Sequence, residues 1–321
     1  MEASGIPAGL QRTGVAHSPP RPLEAQSHRY GEKLIKVILG ACAFISVITT
    51  VAIVVSLLSP TLEFFGEVPV GDFLFGTEWA PTYADPTFGV LPIVVGTIST
   101  TFWGMLIAVP VGLLSAIYLS EYARPNVRKV IKPVLEVLAG IPTVAIGLFA
   151  LTALKPFLEN FIPALNSVPF AAGVAGLAIG LMIVPIIASI SDDAMRSVPQ
   201  GLGEASFGLG ATKSKTATRV IVPAAMSGIV ASIVLAGSRA IGETMIVLMA
   251  TGNTPIMDAN IFEGMRTLAA NVAVEMPESE VGGSHYRVLF LSAFVLLSFT
   301  FVMNTLAELI RQRLRNKYAS L

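Results

Sequence analysis

Six long runs of apolar residues alternate with polar segments along this chain. An α-helix needs about 20 apolar residues to cross the roughly 30 Å hydrocarbon layer of a bilayer. A transmembrane β-barrel would instead show shorter segments of alternating polarity. The pattern predicts six transmembrane helices, near Val37–Leu58, Val90–Leu119, Val134–Leu154, Phe170–Ile190, Ile221–Ala250 and Val288–Leu306.

The composition supports a membrane protein. Hydrophobic residues make up 53% of the 321 positions and charged residues only 13%, and the mean hydropathy is +0.72. A soluble domain of this length would be much less apolar. The first apolar run is longer than the roughly 7–15 residues of a cleavable signal peptide, which predicts an uncleaved anchor. We therefore expect an all-α, polytopic membrane protein.

The distribution of basic residues predicts the orientation of the chain. Seventeen of the 21 Lys and Arg residues lie before the first run, between the second and third, between the fourth and fifth, or after the sixth. Cytoplasmic loops carry such an excess of Lys and Arg. Both termini are therefore expected to be cytoplasmic.

The polar segments divide the chain into four parts. Residues 1–33 are polar and Pro-rich and are expected to form a flexible cytoplasmic tail, while residues 310–321 form a basic cytoplasmic one. Residues 34–89 hold the first span and an irregular external cap, in which Trp79, with Tyr83 and Phe88, could anchor at the membrane interface. Residues 90–309 contain the other five spans and form the core.

Cysteine and histidine give little chemistry. Cys42 is the only cysteine, which excludes an intrachain disulfide. The three histidines, His17, His28 and His285, are far apart in the sequence. We therefore expect no metal site and no cofactor.

Small residues in the fourth run predict close helix packing. Gly176 and Gly180 are four residues apart, a spacing that lets helix backbones approach closely in lipid. Packing within the subunit is the simplest interpretation of this pair.

Two ionisable residues lie within the fifth apolar run. Arg239 and Glu243 each cost about 2.5–3.5 kcal/mol in a membrane and are functional candidates for that reason. Their spacing of four residues also allows a self-neutralising pair on one helix face, although Arg before Glu is the weaker order. The predicted face is small and polar, and it consists of Ala225, Gly228, Ser232, Ala236, Arg239 and Glu243.

This face is suited to an anion passage. An arginine stays charged and donates several charge-assisted hydrogen bonds, which fits a tetrahedral oxyanion. Glu243 would hold Arg239 when no anion is bound. We therefore expect Arg239, Glu243 and Ser232 to line a substrate pathway.

The segment 191–223 is a long polar stretch rich in basic residues. Thr212-Lys213-Ser214 superficially resembles a phosphate-binding loop, but no glycine precedes the lysine. The glycines of the segment do not fit a dinucleotide-binding pattern either. The segment therefore predicts no nucleotide site in this chain.

The same segment resembles the EAA motif of ABC-importer permeases. The motif is EAA, three residues, G, nine residues, and then I-x-L-P. In that family the segment forms a short coupling helix, here expected within 197–214, that inserts into a cleft of the ATPase subunit. An exposed apolar knob containing Leu202 would suit such docking. The matching residues are Glu204, Ala205, Ser206, Phe207 beside them, Gly210 and Pro223.

Longer strings narrow the resemblance. GTEWAP, FGVLPIVVGTISTT, EVLAGIPTVAIGLFAL and GSRAIGETMIVLMATGN are similar to phosphate ABC-transporter permease subunits of the PstC type. The resemblance covers nearly everything from residue 34 onward. It implies a MetI-like, type I importer core and associates Arg239 and Glu243 with phosphate passage.

The resemblance also implies partners. They are a second, PstA-like permease subunit, a dimer of ATPase subunits and an extracytoplasmic phosphate-binding protein, in the bacterial inner membrane. ATP hydrolysis would belong to the partner, so that this chain is not an enzyme. Neither a cofactor nor a nucleic acid is implied.

Two other functions remain open on the sequence. The chain could import another oxyanion, such as molybdate or sulfate. It could also be a phosphate-sensing membrane scaffold that transports nothing. An intramembrane enzyme is disfavoured because the sequence has no HExxH motif, no convincing Ser/His pair and no paired carboxylates within one span.

Overall fold

The computed structural model describes residues 30–258 and 260–318, with side chains described from 31 to 313 except at 259. Most of the predicted tail 1–33 and the end of the basic tail 310–321 lie outside the described residues. The described residues divide into two units at the boundary between residues 51 and 52, which falls within the first helix. The side chains of residues 31–51 are exposed.

Helices dominate the described chain. They are α1 Tyr30–Phe64, α2 Val70–Phe75, α3 Leu91–Ile117, α4 Pro125–Ala139, α5 Thr143–Phe149, α6 Lys155–Glu159, α7 Ala172–Arg196, α8 Gln200–Gly208, α9 Lys213–Thr216, α10 Val222–Ala224, α11 Met226–Ile241, α12 Met245–Ala250, α13 Leu268–Glu275 and α14 Ser284–Tyr318. π-Helical turns over Tyr118–Tyr122, Ala150–Leu154 and Ala217–Ile221 follow α3, α5 and α9.

The number of membrane spans agrees with the sequence pattern when bent helix pairs are counted. Within the described residues, α1, α3, α7 and α14 are each long and apolar enough to cross a bilayer. Two bent helix pairs raise the number to six if each pair is one span. The prediction of an all-α polytopic fold is therefore confirmed.

The third predicted span is not straight. α4 meets the Thr143–Glu159 segment at 92°. The break lies between Gly140 and Pro142, where proline disfavours a helical conformation of the preceding residue and lacks an N–H to donate. Most of the basic segment 124–132 is consequently helical rather than a loop.

The fifth predicted span is broken twice. Lys213–Ala224 meets α11 at 71°, at Ala225, whose φ of −85° and ψ of 0° leave the helical region. α11 then ends at Gly242, with φ −86° and ψ 3°. The continuous helix predicted over Ile221–Ala250 is therefore wrong.

The core is built on the pairing of α3 with α7. A Cβ atom added at Gly176 would lie 2.9 Å from Trp103 Cβ, and one added at Gly180 would lie 2.9 Å from Gly104 O. Close backbone approach of this kind excludes larger side chains. The predicted packing role of Gly176 and Gly180 within the subunit is confirmed.

The external cap is ordered around aromatic side chains. A short antiparallel pair, β1 Trp79–Ala80 and β2 Thr87–Phe88, follows α2. Phe64, Phe73 and Trp79 are buried together with Leu289 of α14. Trp79 is only 3% exposed, so the prediction that it anchors at the membrane interface is wrong.

Candidate functional site

The small-residue face of α11 packs against α7. A Cβ atom added at Gly228 would lie 2.4 Å from Ala194 Cβ. Ser232 Oγ lies 2.8 Å from Ser191 Oγ, and Ser232 is 0% exposed. In this conformation Ser232 holds two helices together, and its role in a substrate pathway stays a prediction.

Arg239 and Glu243 lie on either side of a helix break. Arg239 is in the last turn of α11 and is exposed. Glu243 follows the end of that helix and is 6% exposed. Its Oε1 accepts hydrogen bonds from the backbone N–H groups of Met245 at 3.1 Å and Ile246 at 3.3 Å.

The break separates the roles of these two residues. The backbone N–H groups that begin α12 have no partners within that helix, and a carboxylate beside them is favourable. An i, i+4 pair needs a continuous helix, which Gly242 interrupts. Among the described residues no ion pair joins Arg239 to Glu243, so the self-neutralising pair and the holding role expected of Glu243 are wrong for this conformation.

A groove runs between α11 and α14. Its volume is about 400 Å³. Leu235, one turn before Arg239 on the same helix, lines it and is 55% exposed. Ser238 Oγ donates a hydrogen bond to Asn304 Oδ1 of α14. The groove is therefore partly polar, and its lining includes Asn304, Glu308 and Arg311.

α8 carries the sequence motif and is exposed on nearly every side. None of its residues is buried. Phe207 is 48%, Leu202 45% and the following Leu209 91% exposed. Ala205 and Glu204 are exposed beside them. The prediction of an exposed apolar knob with a carboxylate next to it is confirmed.

The C-terminal end of α8 is fixed by local contacts. Gly210 has a φ of +78°, a left-handed conformation that glycine adopts without strain and that commonly ends helices. Ser206 Oγ lies 2.9 Å from Thr216 Oγ1 of α9. Pro223 lies in α10, two residues before the 71° bend at Ala225, rather than at the start of a long straight span.

A groove of about 290 Å³ separates α8 from the ends of α3 and α7. Glu204 and Phe207 line it from α8. Glu121, in the π turn after α3, and Arg196, at the end of α7, line its other side. Because of this groove, α8 does not pack closely against the ends of α3 and α7 along its whole length.

A cluster of charged residues joins α4 to the end of α7. Arg128 Nη2 lies 2.6 Å from Asp192 Oδ2 and 4.0 Å from Asp193 Oδ1. Lys132 Nζ pairs with Asp193 and lies 3.8 Å from Asp192 Oδ2. Arg196 Nε lies 3.6 Å from Asp192 Oδ1. We call these five residues the α4–α7 charge cluster.

Sequence reasoning missed this cluster. The basic residues of α4 served only to predict orientation from the sequence, and the two aspartates lie at the border of an apolar run. The signal was present, because Arg128 and Lys132 are four residues apart and therefore share a helix face. Only the packing of α4 against α7 brings them to Asp192.

A second polar network, also missed, surrounds the buried Glu275 of α13. Trp79 Nε1 donates to both carboxylate oxygens, at 3.0 Å and 3.1 Å. Arg266 pairs with the same carboxylate, and His285 Nε2 lies 2.9 Å from its Oε2. Arg266 Nε also donates to Asn253 O at 2.7 Å. The network ties the cap to the loop after α12 and to α14.

One further contact joins the cap to α14. Ser284 Oγ donates a hydrogen bond to Glu67 Oε2 at 2.6 Å, and Arg287 pairs with the same carboxylate. The Ser284 hydrogen bond and the Arg287 charge hold the pKa of Glu67 below its ordinary value, against the opposing effect of partial desolvation.

The arrangement matches a known class of transporter. A profile of the family "Binding-protein-dependent transport system inner membrane component" matches residues 108–316. This chain belongs to that family. The permease is 36% identical over 291 residues to the probable ABC transporter permease protein YqgH of Bacillus subtilis, covering 90% of this chain and 93% of that protein.

Phosphate-transport proteins are also among the relatives of the permease. It is 32% identical to the phosphate transport system permease protein PstC 1 of Mycobacterium tuberculosis, with 82% of this chain and 88% of that protein covered. It is 31% identical to PstC of Haemophilus influenzae, with 89% and 96% covered. The resemblance predicted from the sequence strings is confirmed.

Solved structures share the fold. A bacterial alginate ABC transporter in complex with an alginate-pentasaccharide-bound periplasmic protein matches with a TM-score of 0.63 at 13% identity, covering 89% of this chain and 98% of that chain. The inward-facing MetNI methionine ABC transporter matches with a TM-score of 0.52 at 18% identity, covering 70% and 94%. The permease is therefore a multi-pass membrane protein with the fold of ABC-importer permeases.

Proposed function

We propose that this permease forms the membrane passage of an ATP-driven importer of inorganic phosphate, with Arg239 as the residue that meets the anion. The observation that carries the proposal is an exposed arginine beside a helix break inside the fifth apolar run. The PstC relatives support phosphate as the substrate.

The physical argument rests on the cost of a charge in lipid. An arginine within a span costs several kcal/mol, of order 2.5–3.5 on insertion scales, unless it faces a cavity or a partner. Arg239 has no ion-pair partner among the described residues, so its guanidinium remains available. A planar fork of N–H donors fits a phosphate oxygen pair.

Glu243 acts differently from Arg239 in this proposal. Because its carboxylate binds backbone N–H groups of α12, it fixes the start of that helix and places a negative charge near the passage. That negative charge repels a bound anion and so favours its release. Ser232 supports the passage indirectly in this conformation, through its contact with Ser191.

Energy reaches the passage through α8. Glu204, Ala205, Ser206, Phe207 and Gly210 form the coupling helix and its end, which docks into a separate ATPase dimer, and Pro223 leads into the helix that holds Arg239. A second, PstA-like permease subunit and an extracytoplasmic phosphate-binding protein complete the complex. Both termini lie in the cytoplasm in this arrangement, consistent with the positive-inside rule.

Arg239→Ala tests the proposal directly. We expect phosphate uptake by proteoliposomes holding the complete complex to fall at least about tenfold, equivalent to about 1.4 kcal/mol in the transport step. Arg239→Lys should retain part of the activity, because it keeps the charge but loses the fork. Radiolabelled inorganic phosphate provides the measurement, and Arg124→Ala, at an exposed arginine before α4, is the matched control.

Three results would count against this function. Normal phosphate uptake by Arg239→Ala would contradict the pathway role of that residue. Stronger competition by sulfate or molybdate than by unlabelled phosphate would identify that oxyanion, rather than phosphate, as the transported substrate. ATP hydrolysis by the wild-type complex with no phosphate accumulation would favour the scaffold alternative.

A further inference from the structure

The α4–α7 charge cluster occupies the position where α8 is joined to the membrane helices. Only three residues, 197–199, separate the end of α7 from the start of α8. Asp192, Asp193 and Arg196 lie in the last two turns of α7. A displacement of α8 would therefore move this cluster before it moves the rest of α7.

α4 depends on these charges for its attachment. None of its residues is buried, and two of its apolar side chains, Val130 and Val137, are 65% and 72% exposed. Asp192, in contrast, is 0% exposed and is surrounded by three cationic side chains. Ion pairs therefore join α4 to α7 at this point.

The two basic residues of α4 can change aspartate partners without losing every ion pair to α7. Arg128 and Lys132 each lie within ion-pair distance of both aspartates. Asp192 Oδ1 is buried without a hydrogen-bond partner among the described residues. A shift of α4 along α7 would consequently replace one ion pair by another, whereas interlocked apolar side chains would resist it.

α4 is itself the first half of the bent third span. The 92° break after α4 connects it to α5 and α6. α5 in turn packs on α12, where a Cβ atom added at Gly147 would lie 3.0 Å from Met249 Sδ. A path of contacts therefore runs from α8 through the charge cluster, α4 and α5 to the helix that Glu243 begins.

We propose that the α4–α7 charge cluster is the joint that passes movement of α8 to the bent third span, with Arg128 and Asp192 as its positioning residues. This proposal rests on the proposed role of α8 in coupling. The cluster touches no substrate. It acts by keeping α4 attached to α7 while the two helices exchange ion pairs.

Charge reversal tests the joint in the complete complex. Arg128→Glu and Asp192→Arg should each lower the amount of inorganic phosphate imported per ATP hydrolysed at least tenfold, while the complex remains assembled. Arg128→Lys should retain most of the coupling, because it keeps the positive charge beside Asp192. Lys129→Glu, an exposed residue on the same helix, makes the same charge change as R128E and should stay within twofold.

Assembly separates a joint from a merely structural contact. The amount of ATPase subunit that copurifies with each variant measures how much complex has assembled, and the rates of phosphate import and ATP hydrolysis are divided by that amount. The proposal is overturned if phosphate import and ATP hydrolysis fall together in proportion to assembled complex, if R128E couples normally, or if Arg128→Lys loses as much coupling as R128E. Arg128→Gln provides a milder variant should R128E not assemble, and the same criteria apply to it.

A readout independent of phosphate distinguishes this proposal from the proposed function. In a Cys42→Ser background, the alkylation rate of Phe149→Cys, at the exposed end of α5, should change at least threefold when ATP binds. R128E should abolish that change and Arg128→Lys should retain it. If the wild-type complex imports no phosphate but its alkylation rate responds to ATP in this way, phosphate is not the substrate and the proposed role of the charge cluster is supported. If R128E does not alter the response to ATP, the proposed role of the charge cluster is wrong.

Discussion

At the scale of single residues, burial and partners decide what each charge does. Arg239 and Glu243 looked equivalent in the sequence, because both lie in one apolar run at helical spacing. The structure exposes the first and uses the second to bind backbone N–H groups at the start of α12. Arg239 is therefore the stronger candidate for contact with an anion.

Glu275 provides a prediction about stability at this scale. Replacing it by Ala leaves Arg266 and the Trp79 N–H without their shared carboxylate. Breaking a mostly buried ion pair costs about 3–5 kcal/mol. We expect a clearly lower thermal unfolding midpoint for the purified complex in nanodiscs.

The control for this experiment is Glu278→Ala. Glu278 lies three residues further along and is exposed, so its replacement should change stability by at most about 0.5 kcal/mol. Equal unfolding midpoints for the two variants would contradict the stabilising role of the Glu275 network.

At the scale of helices and their contacts, glycine spacing was a reliable guide and helix continuity was not. Gly176 and Gly180 identified the α7 surface that packs on α3. The bends at Ala225 and Gly242 were missed because an apolar run looks the same whether its helix is straight or broken. The proline at 223 was a visible signal, but proline is tolerated in membrane helices.

Gly180→Leu tests the contact between α3 and α7. A Cβ atom at this position would already lie 2.9 Å from Gly104 O, and backbone cannot rotate away as a side chain can. Overpacking of this kind costs about 1–3 kcal/mol. The thermal unfolding midpoint of the purified complex should fall.

Gly40→Leu is the matched control for Gly180→Leu. A Cβ atom at Gly40 would have nothing within 4 Å, so the substitution should leave the midpoint close to that of wild type. A Gly180→Leu variant as stable as Gly40→Leu would show that α3 and α7 can separate without cost.

At the scale of the whole molecule, α8 is the described surface best suited to an ATPase partner. A central aromatic anchor in a protein interface typically contributes about 2 kcal/mol or more, which corresponds to roughly 30-fold in affinity. Phe207→Ser should therefore weaken binding of the ATPase subunit by about that factor in a copurification titration.

Phe75→Ser is the control for this titration. Phe75 ends α2 in the predicted external cap and is 76% exposed, so it should leave ATPase binding unchanged. Unaltered binding by Phe207→Ser, or equal losses in both variants, would argue against α8 as the coupling helix.

The sequence by itself determined the membrane class, the approximate positions of six spans, the family and the short helix that carries the EAA-like motif. These features depend on hydrophobic length and on local residue order, which are properties of consecutive residues. The exposed knob at Phe207 followed for the same reason.

Only the tertiary structure decided which charges meet. Arg128 and Asp192 are 64 residues apart, and Trp79 and Glu275 are 196 residues apart, so no local pattern pairs them. The break at Gly242 that separates Arg239 from Glu243 is likewise a matter of how the segments before and after it pack against the rest of the molecule. Long-range packing, which hydropathy does not record, therefore fixed the geometry of the candidate passage and its connection to α8.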